Sequence, residues 1–331
     1  HHIDNMMEQG GAEIAGIKMH AAIDVVMRRN HIHHCTMGIW CDWEAQGTRL
    51  SQNLLHDNQR PAFAKPLKGG MMSQDIFVEV SHGPTLIDNN ILLSDASLRF
   101  ATQGVAMVHN LICGALTCVG SGTDWRYTPY HMPHRTEVMG FMTILHGDDR
   151  FYNNIFVQKW PSEDIITPHD SDDGFDCENR LAGTWMFDEY PTKEAWDAQF
   201  DFTKPADMKK LEPAHFGHLP VWSEGNVYLA GAKAWKHEKN GLTENQNPVT
   251  VELEEKDGQY YLNTNLYEMI ADFSNRMIDT DVLGMAFEPE QPFENPDGTK
   301  IRFDRDYFGN HRGIRVVSGP FASEDDAKKA L

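Results

Sequence analysis

An asparagine followed by apolar residues returns along the first half of this chain at a nearly constant interval. It occurs as Asn5-Met6-Met7, Asn30-His31-Ile32, Asn53-Leu54-Leu55, Asn89-Asn90-Ile91, Asn110-Leu111-Ile112 and Asn153-Asn154-Ile155. The steps are 25, 23, 36, 21 and 43 residues; the 36 contains a Pro/Gly-marked stretch, 61–74, whose removal leaves 22, and the 43 is close to two periods. A fixed period of this size means stacked units, none of which can bury its apolar face alone. A coil of about 22 residues built of short strands suits a right-handed parallel β-helix. Asn at the corners would tolerate a left-handed backbone and let its amide ladder with the coils above and below. A leucine-rich solenoid fits poorly, because Leu is not the repeated residue and no helical pattern sits inside the period. The expected fold is therefore all-β. A right-handed parallel β-helix is expected over 1–160, a connecting segment over 161–220, and a β-sandwich-like domain over 221–331. His1 already falls inside a recognisable coil, so further N-terminal coils are expected upstream. Short helices are expected near 193–200 and 323–331, and residues 264–277 read as either a helix or a long loop.

Composition narrows the function. The 331 residues carry a formal net charge of −20, which disfavours a nucleic-acid partner and, more weakly, an anionic membrane. No run of 18 apolar residues is present, so no membrane span is expected. Cys35, Cys41, Cys113, Cys118 and Cys177 are odd in number and lack CxxC spacing; they read as small core residues. A homo-oligomer is compatible with the chain, and the cytoplasm is slightly favoured as its compartment.

Two segments one repeat apart carry acids at the same place. Gly38-Ile39-Trp40-Cys41-Asp42 aligns with Asp75-Ile76-Phe77-Val78-Glu79. Alternation turns Ile39/Cys41 and Ile76/Val78 one way, and Trp40/Asp42 and Phe77/Glu79 the other. Stacked as neighbouring strands about 4.8 Å apart, they bring Asp42 and Glu79 close to the roughly 5–5.5 Å carboxyl separation of retaining glycosidases. Two like charges in one column push one pKa up. Glu79, between Val78 and Val80, has the more apolar setting and is the expected proton carrier. The competing reading is two solvated acids among the 49 of this chain.

Five blocks then carry a family resemblance: GGAEIAGIKMH (10–20), GIWCDWEAQGTRLSQNLLHDN (38–58), DIFVEVSHGPTLIDNNILL (75–93), RYTPYHMPHRTEVMG (126–140) and GDDRFYNNIFV (147–157). Together they resemble glycoside hydrolase family 120, β-xylosidases on a right-handed parallel β-helix with an associated β-sandwich. The resemblance covers most of residues 10–157 and, more weakly, the C-terminal zone. It implies Asp42 as nucleophile and Glu79 as acid/base, in a retaining, exo-acting release of xylose from β-1,4-xylo-oligosaccharides without a cofactor. The stretch 61–74 is inserted relative to the family, and the family's N-terminal half has no counterpart here.

Further residues are candidates for holding the sugar. Glu13, Lys18 and His20 lie one coil before Asp42; Ile17-Lys18-Met19-His20 mirrors Ile39-Trp40-Cys41-Asp42, which puts His20 in the acid column. Trp40 and Trp43 offer faces for stacking. His82, in His82-Gly83-Pro84, follows Glu79 closely enough to orient it. The excursion 124–137 holds Arg126, His131 and His134 and is long enough to wall a subsite. The run His31-Ile32-His33-His34 resembles a metal cluster, but alternation splits it over two faces, and no metal is expected. The alternatives are another exo-glycosidase, such as an arabinofuranosidase, or a non-catalytic carbohydrate-binding β-helix, which would not need the paired acids. A polysaccharide lyase would need a Lys or Arg base and suits an acidic chain poorly.

Overall fold

The computed structural model describes residues 2–3, 14–59, 73–118, 124–160, 179–200, 203, 205 and 207–331. The chain is mostly β, with a few short helices. Three parallel sheets are visited in turn, and successive circuits stack strands onto them. The first sheet stacks Ile17–His20, Ile39–Asp42, Ile76–Glu79, Ala96–Ala101 and Ala115–Cys118. The second stacks Val26–Arg28, Thr48–Ser51, Thr85–Asp88, Val105–Val108, Asp149–Tyr152 and Val221–Glu224. The third runs through His31–His33, Leu54–His56, Ile91–Leu92, Leu111–Ile112, Ile155–Val157 and Val227–Leu229.

Alternation explains the interior. Ile39, Cys41, Ile76, Val78, Leu98 and Phe100 of the first sheet share one core with Leu50, Ile87 and Met107 of the second. Ile32, Leu55, Leu92, Ile112 and Phe156 of the third sheet join the same core. The outward faces are treated differently. The C-terminal residues cover the third sheet through Leu262, Leu266, Tyr267 and Phe321, and the second through Ile278, Phe293 and Phe303. The outward face of the first sheet holds a separate small cluster, Met37, Trp40, Phe77 and Ala101.

The asparagine ladder is present and longer than the repeat indicates. Asn30, Asn53, Asn90, Asn110, Asn154 and Asn226 form a continuous row in which each Nδ2 donates to the next Oδ1 at 2.9–3.0 Å. Each backbone N–H donates to that same oxygen. Asn53 to Asn226 also give their second amide proton to a carbonyl of the preceding circuit. A buried amide in this position has its bonding capacity filled, as burial requires. The left-handed corner belongs to the residue before the ladder: Arg29, Gln52, Asn89, His109, Asn153 and Gly225 have φ between 53° and 72°. The ladder residue itself must keep its side chain aligned with its neighbours, so the strain moves one position back.

Two domain boundaries differ from expectation. The parallel sheets do not end at 160: strands Val221–Glu224 and Val227–Leu229 continue them, and Asn226 continues the ladder. Among the described residues, the rest of 221–331 adds one strand to the third sheet, Leu242–Glu244, and one antiparallel pair, Val251–Lys256 with Gln259–Thr264. Short helices and loops complete it, rather than two facing sheets. Its apolar residues are used against the outer faces of the parallel sheets, which removes the need for a second sheet. The helices lie at Lys193–Asp197, Met208–His215, Leu266–Met269, Thr280–Leu283 and Glu324–Ala327. None of the helices among the described residues is long and apolar enough to cross a membrane. Cys35, Cys41, Cys113 and Cys118 are buried thiols; Cys177 lies outside the described residues.

Candidate active site

The register of the first sheet puts four positions in one column: His20, Asp42, Glu79 and Ala101. One step back, Lys18, Trp40, Phe77 and Arg99 form a second outward column. The two acids are therefore direct Cα partners on adjacent parallel strands, as the alternation requires. They are not solvated: Asp42 and Glu79 are only 5% and 6% exposed. Buried carboxylates demand polar partners. Lys18 Nζ meets Asp42 Oδ2 at 2.5 Å and lies 4.5 Å from the centre of the Trp40 ring. Trp40 in turn donates its indole N–H to Glu79 Oε2 at 3.0 Å and packs on Phe77. Arg99, 1% exposed, lies over the other side of this aromatic pair, 6.0 Å from the Phe77 ring centre. Asp42 thus meets an ammonium, while one oxygen of Glu79 accepts from an indole.

The backbone is unusual at the same three rungs. His20 is followed by Ala21, Asp42 by Trp43 and Glu44, and Glu79 by Val80, all with φ between 43° and 59°. A β-branched residue such as Val80 is a true outlier in that region. Consecutive rungs hold one another there, with Ala21 N–H donating to the Trp43 carbonyl, Glu44 N–H to the Val80 carbonyl and Val80 N–H to the Ala101 carbonyl. Strain of this kind persists only where the surroundings enforce it, and it concentrates at functional sites.

The other candidates separate into two groups. Trp40 sits within the acid cluster. Trp43 stacks on the exposed ring of His20, with centres 6.3 Å apart. His82, His131 and His134 bond between the sheets, the C-terminal region and an antiparallel hairpin, Asp124–His131 with Val138–Ile144. His82 Nε2 donates to the Thr128 carbonyl, and burial drives its pKa down to about 4, so it is a neutral donor at neutral pH. His131 bonds Glu44 and the Thr136 carbonyl through its ring, and its backbone N–H and C=O pair with the amide of Gln46. His134 bridges Asp24 and Glu294; burial opposes its charge, but the two carboxylates outweigh that and raise its pKa. The hairpin, which contains Arg126 in its first strand, is thus clamped to the turn that follows Asp42. Glu13 lies outside the described residues. The sequence places Lys18 one coil before Asp42 without marking it as that acid's partner, and Arg99 carries no signal beyond its shared phase with Trp40 and Phe77.

Alternation splits the histidine run as expected, with Ile32 in the core, and the next circuit adds a further histidine. His31 and His33 share one outward face of the third sheet, and His56 from the next circuit is the direct strand partner of His33.

No family model and no curated protein matches this chain. Over its full length it is similar to a solved structure described as "The complex structure of XylC with xylose", at 34% identity and a TM-score of 0.81. The match takes in 100% of this chain and 47% of the other, so the chain spans about half the length of the protein it resembles.

Proposed function

We propose that the chain is the acid-bearing part of a retaining glycoside hydrolase of family 120 type. In this reading the three parallel sheets form a right-handed parallel β-helix, and the enzyme releases xylose from the non-reducing end of β-1,4-xylo-oligosaccharides. The observation that carries the proposal is the in-register pairing of Asp42 with Glu79 on adjacent strands, each buried and each held by a different partner. Double displacement needs two carboxyl groups at about one strand spacing, one ionised and one able to give and retake a proton. Lys18 supplies the counter-charge that suits Asp42 to attack the anomeric carbon. Trp40 fixes one oxygen of Glu79 and so orients the carboxyl group that protonates the leaving oxygen and then deprotonates water. The similarity to a protein whose solved structure contains xylose supports a pentose as the sugar. Trp40, Trp43 and His20 are the described residues best placed to contact it; His131 and His134 we assign to anchoring the hairpin.

The division of labour is tested with Glu79→Gln. Xylobiose turnover is expected to fall by roughly the 10²–10⁴-fold typical of a lost general acid. Aryl xylosides with acidic phenols should lose far less in their first step and should accumulate the glycosyl-enzyme. Equal losses for both substrates would show that Glu79 is not the proton donor.

A further inference from the structure

Away from the acids, on the outward face of the third sheet, the geometry points to a divalent transition-metal site formed by His31, His33 and His56. One ring nitrogen from each lies within 4.8 Å of the other two. His31 and His33 come from alternate positions of one strand, and His56 from the next, in register with His33. The His33 and His56 rings are stacked 4.8 Å apart with an interplanar angle of 4°, the spacing of neighbouring strands. His31 Nε2 and His56 Nε2 face each other at 2.7 Å. Two imidazole nitrogens can be that close only if one carries a proton and the other a lone pair, which is the arrangement a metal ion replaces.

The remaining contacts fit ligation. His56 Nδ1 meets Asp57 Oδ2 at 2.6 Å, so Nδ1–H donates to the carboxylate and the Nε2 lone pair is directed at the cluster. A carboxylate behind a ligating histidine is the usual outer support of a bound metal, fixing tautomer and ring orientation. His33 has the comparable support of His34, Nδ1 to Nδ1 at 2.6 Å. Tyr260, from the antiparallel pair of the C-terminal region, packs edge-on against His31 and closes one side. Nitrogens bound at about 2.0–2.1 Å to a tetrahedral ion lie roughly 3.3 Å apart. The close pair must therefore open by about 0.6 Å, the third nitrogen move in, and the parallel His33 and His56 rings turn until their in-plane lone pairs meet at the ion. His31 would then carry its proton on Nδ1 or lose it to solvent. Three neutral imidazoles select borderline ions such as Zn²⁺, Co²⁺, Ni²⁺ or Cu²⁺ over Ca²⁺ or Mg²⁺. A chain of net charge −20 raises the local concentration of any cation. Because the ligands come from two successive circuits, the ion would cross-link them, independently of the acid pair.

The test uses the purified protein, freed of metal by chelation and titrated with ZnCl₂ and, separately, CoCl₂. Expected are one equivalent of Zn²⁺ bound, a rise in Tm of roughly 5 °C with Zn²⁺ at a hundredfold excess over Kd, and visible Co²⁺ absorption of the intense, tetrahedral kind. His33→Gln and His56→Leu should abolish all three. Asp57→Asn, which keeps every ligand, should weaken Zn²⁺ binding by about 10–100-fold, and this holds the test open if a histidine variant fails to fold. No Co²⁺ spectrum and no Tm response in the parent protein would overturn the site. So would a response that persists in Asp57→Asn and His33→Gln at parental affinity, since the ion would then sit elsewhere among the 17 histidines.

Discussion

Asp42→Gly should abolish turnover of every xyloside, by roughly the 10⁴–10⁶-fold that loss of a covalent nucleophile costs. The fold should survive. Asp42 points away from the common core, and its partner Lys18 keeps a second contact over the Trp40 ring, so circular dichroism should be unchanged. The space vacated by the carboxylate lies beside Glu79 and admits a small anion. Azide should therefore restore cleavage of aryl xylosides with acidic phenols and yield the xylosyl azide of inverted configuration, because azide attacks from the face Asp42 occupied. Parental activity in Asp42→Gly would remove the nucleophile assignment. Rescue with retained configuration would remove the geometry.

The second large effect concerns stability, at Asn90. Its Oδ1 accepts from the backbone and side-chain amides of Asn53, and its Nδ2 donates to the Leu50 carbonyl and to Asn110 Oδ1. Asn90→Ala leaves these buried groups short of four bonds in a place with 0% exposure. Each orphaned buried group costs about 1–3 kcal/mol. Relaxation recovers part, so a loss on the order of 3–6 kcal/mol is expected in urea unfolding. Asn30→Ala, which removes one side-chain bond among the described residues, Nδ2 to Asn53 Oδ1, should lose a fraction of that. Equal costs at the two positions would mean that the row is not the cooperative element described here.

The ladder also shows what a sequence of this kind discloses. Positions 30, 53 and 110 were readable because each precedes an apolar strand at a near-constant step; in the pairs 89–90 and 153–154 that step counts from the first Asn, whereas the ladder uses the second. Asn226 was not readable, because a 72-residue excursion separates it from Asn154 and erases the period. The left-handed corners at Arg29, Gln52 and His109 carry no local signal: none is Gly or Asn, and the conformation is imposed by the rungs on either side. The same division holds at the acids. Alternation was enough to align Asp42 with Glu79 and to turn them away from the core. Their burial was not legible, since it depends on what packs over the sheet, and neither was the Lys18 ion pair, which crosses from the neighbouring strand. His82, His131 and His134 were expected near the sugar because they are histidines in a promising stretch. Their actual bonds run to Thr128, Glu44, Asp24 and Glu294, contacts between distant segments that spacing along the chain does not encode. The sandwich expected after 221 failed for a related reason. Short apolar runs there read as strands, but the outer faces of the parallel sheets take them up as covering loops.

The most direct measurement of the central claim is to trap the intermediate. A 2-deoxy-2-fluoro-β-xyloside with an acidic leaving group slows both steps of double displacement but lets the first outrun the second. Mass spectrometry of the digested protein should then find one fluoroxylosyl group, attached through an ester to Asp42, with release of one equivalent of leaving group. A label on Glu79, or turnover with no covalent species and inverted xylose as the product, would contradict the account.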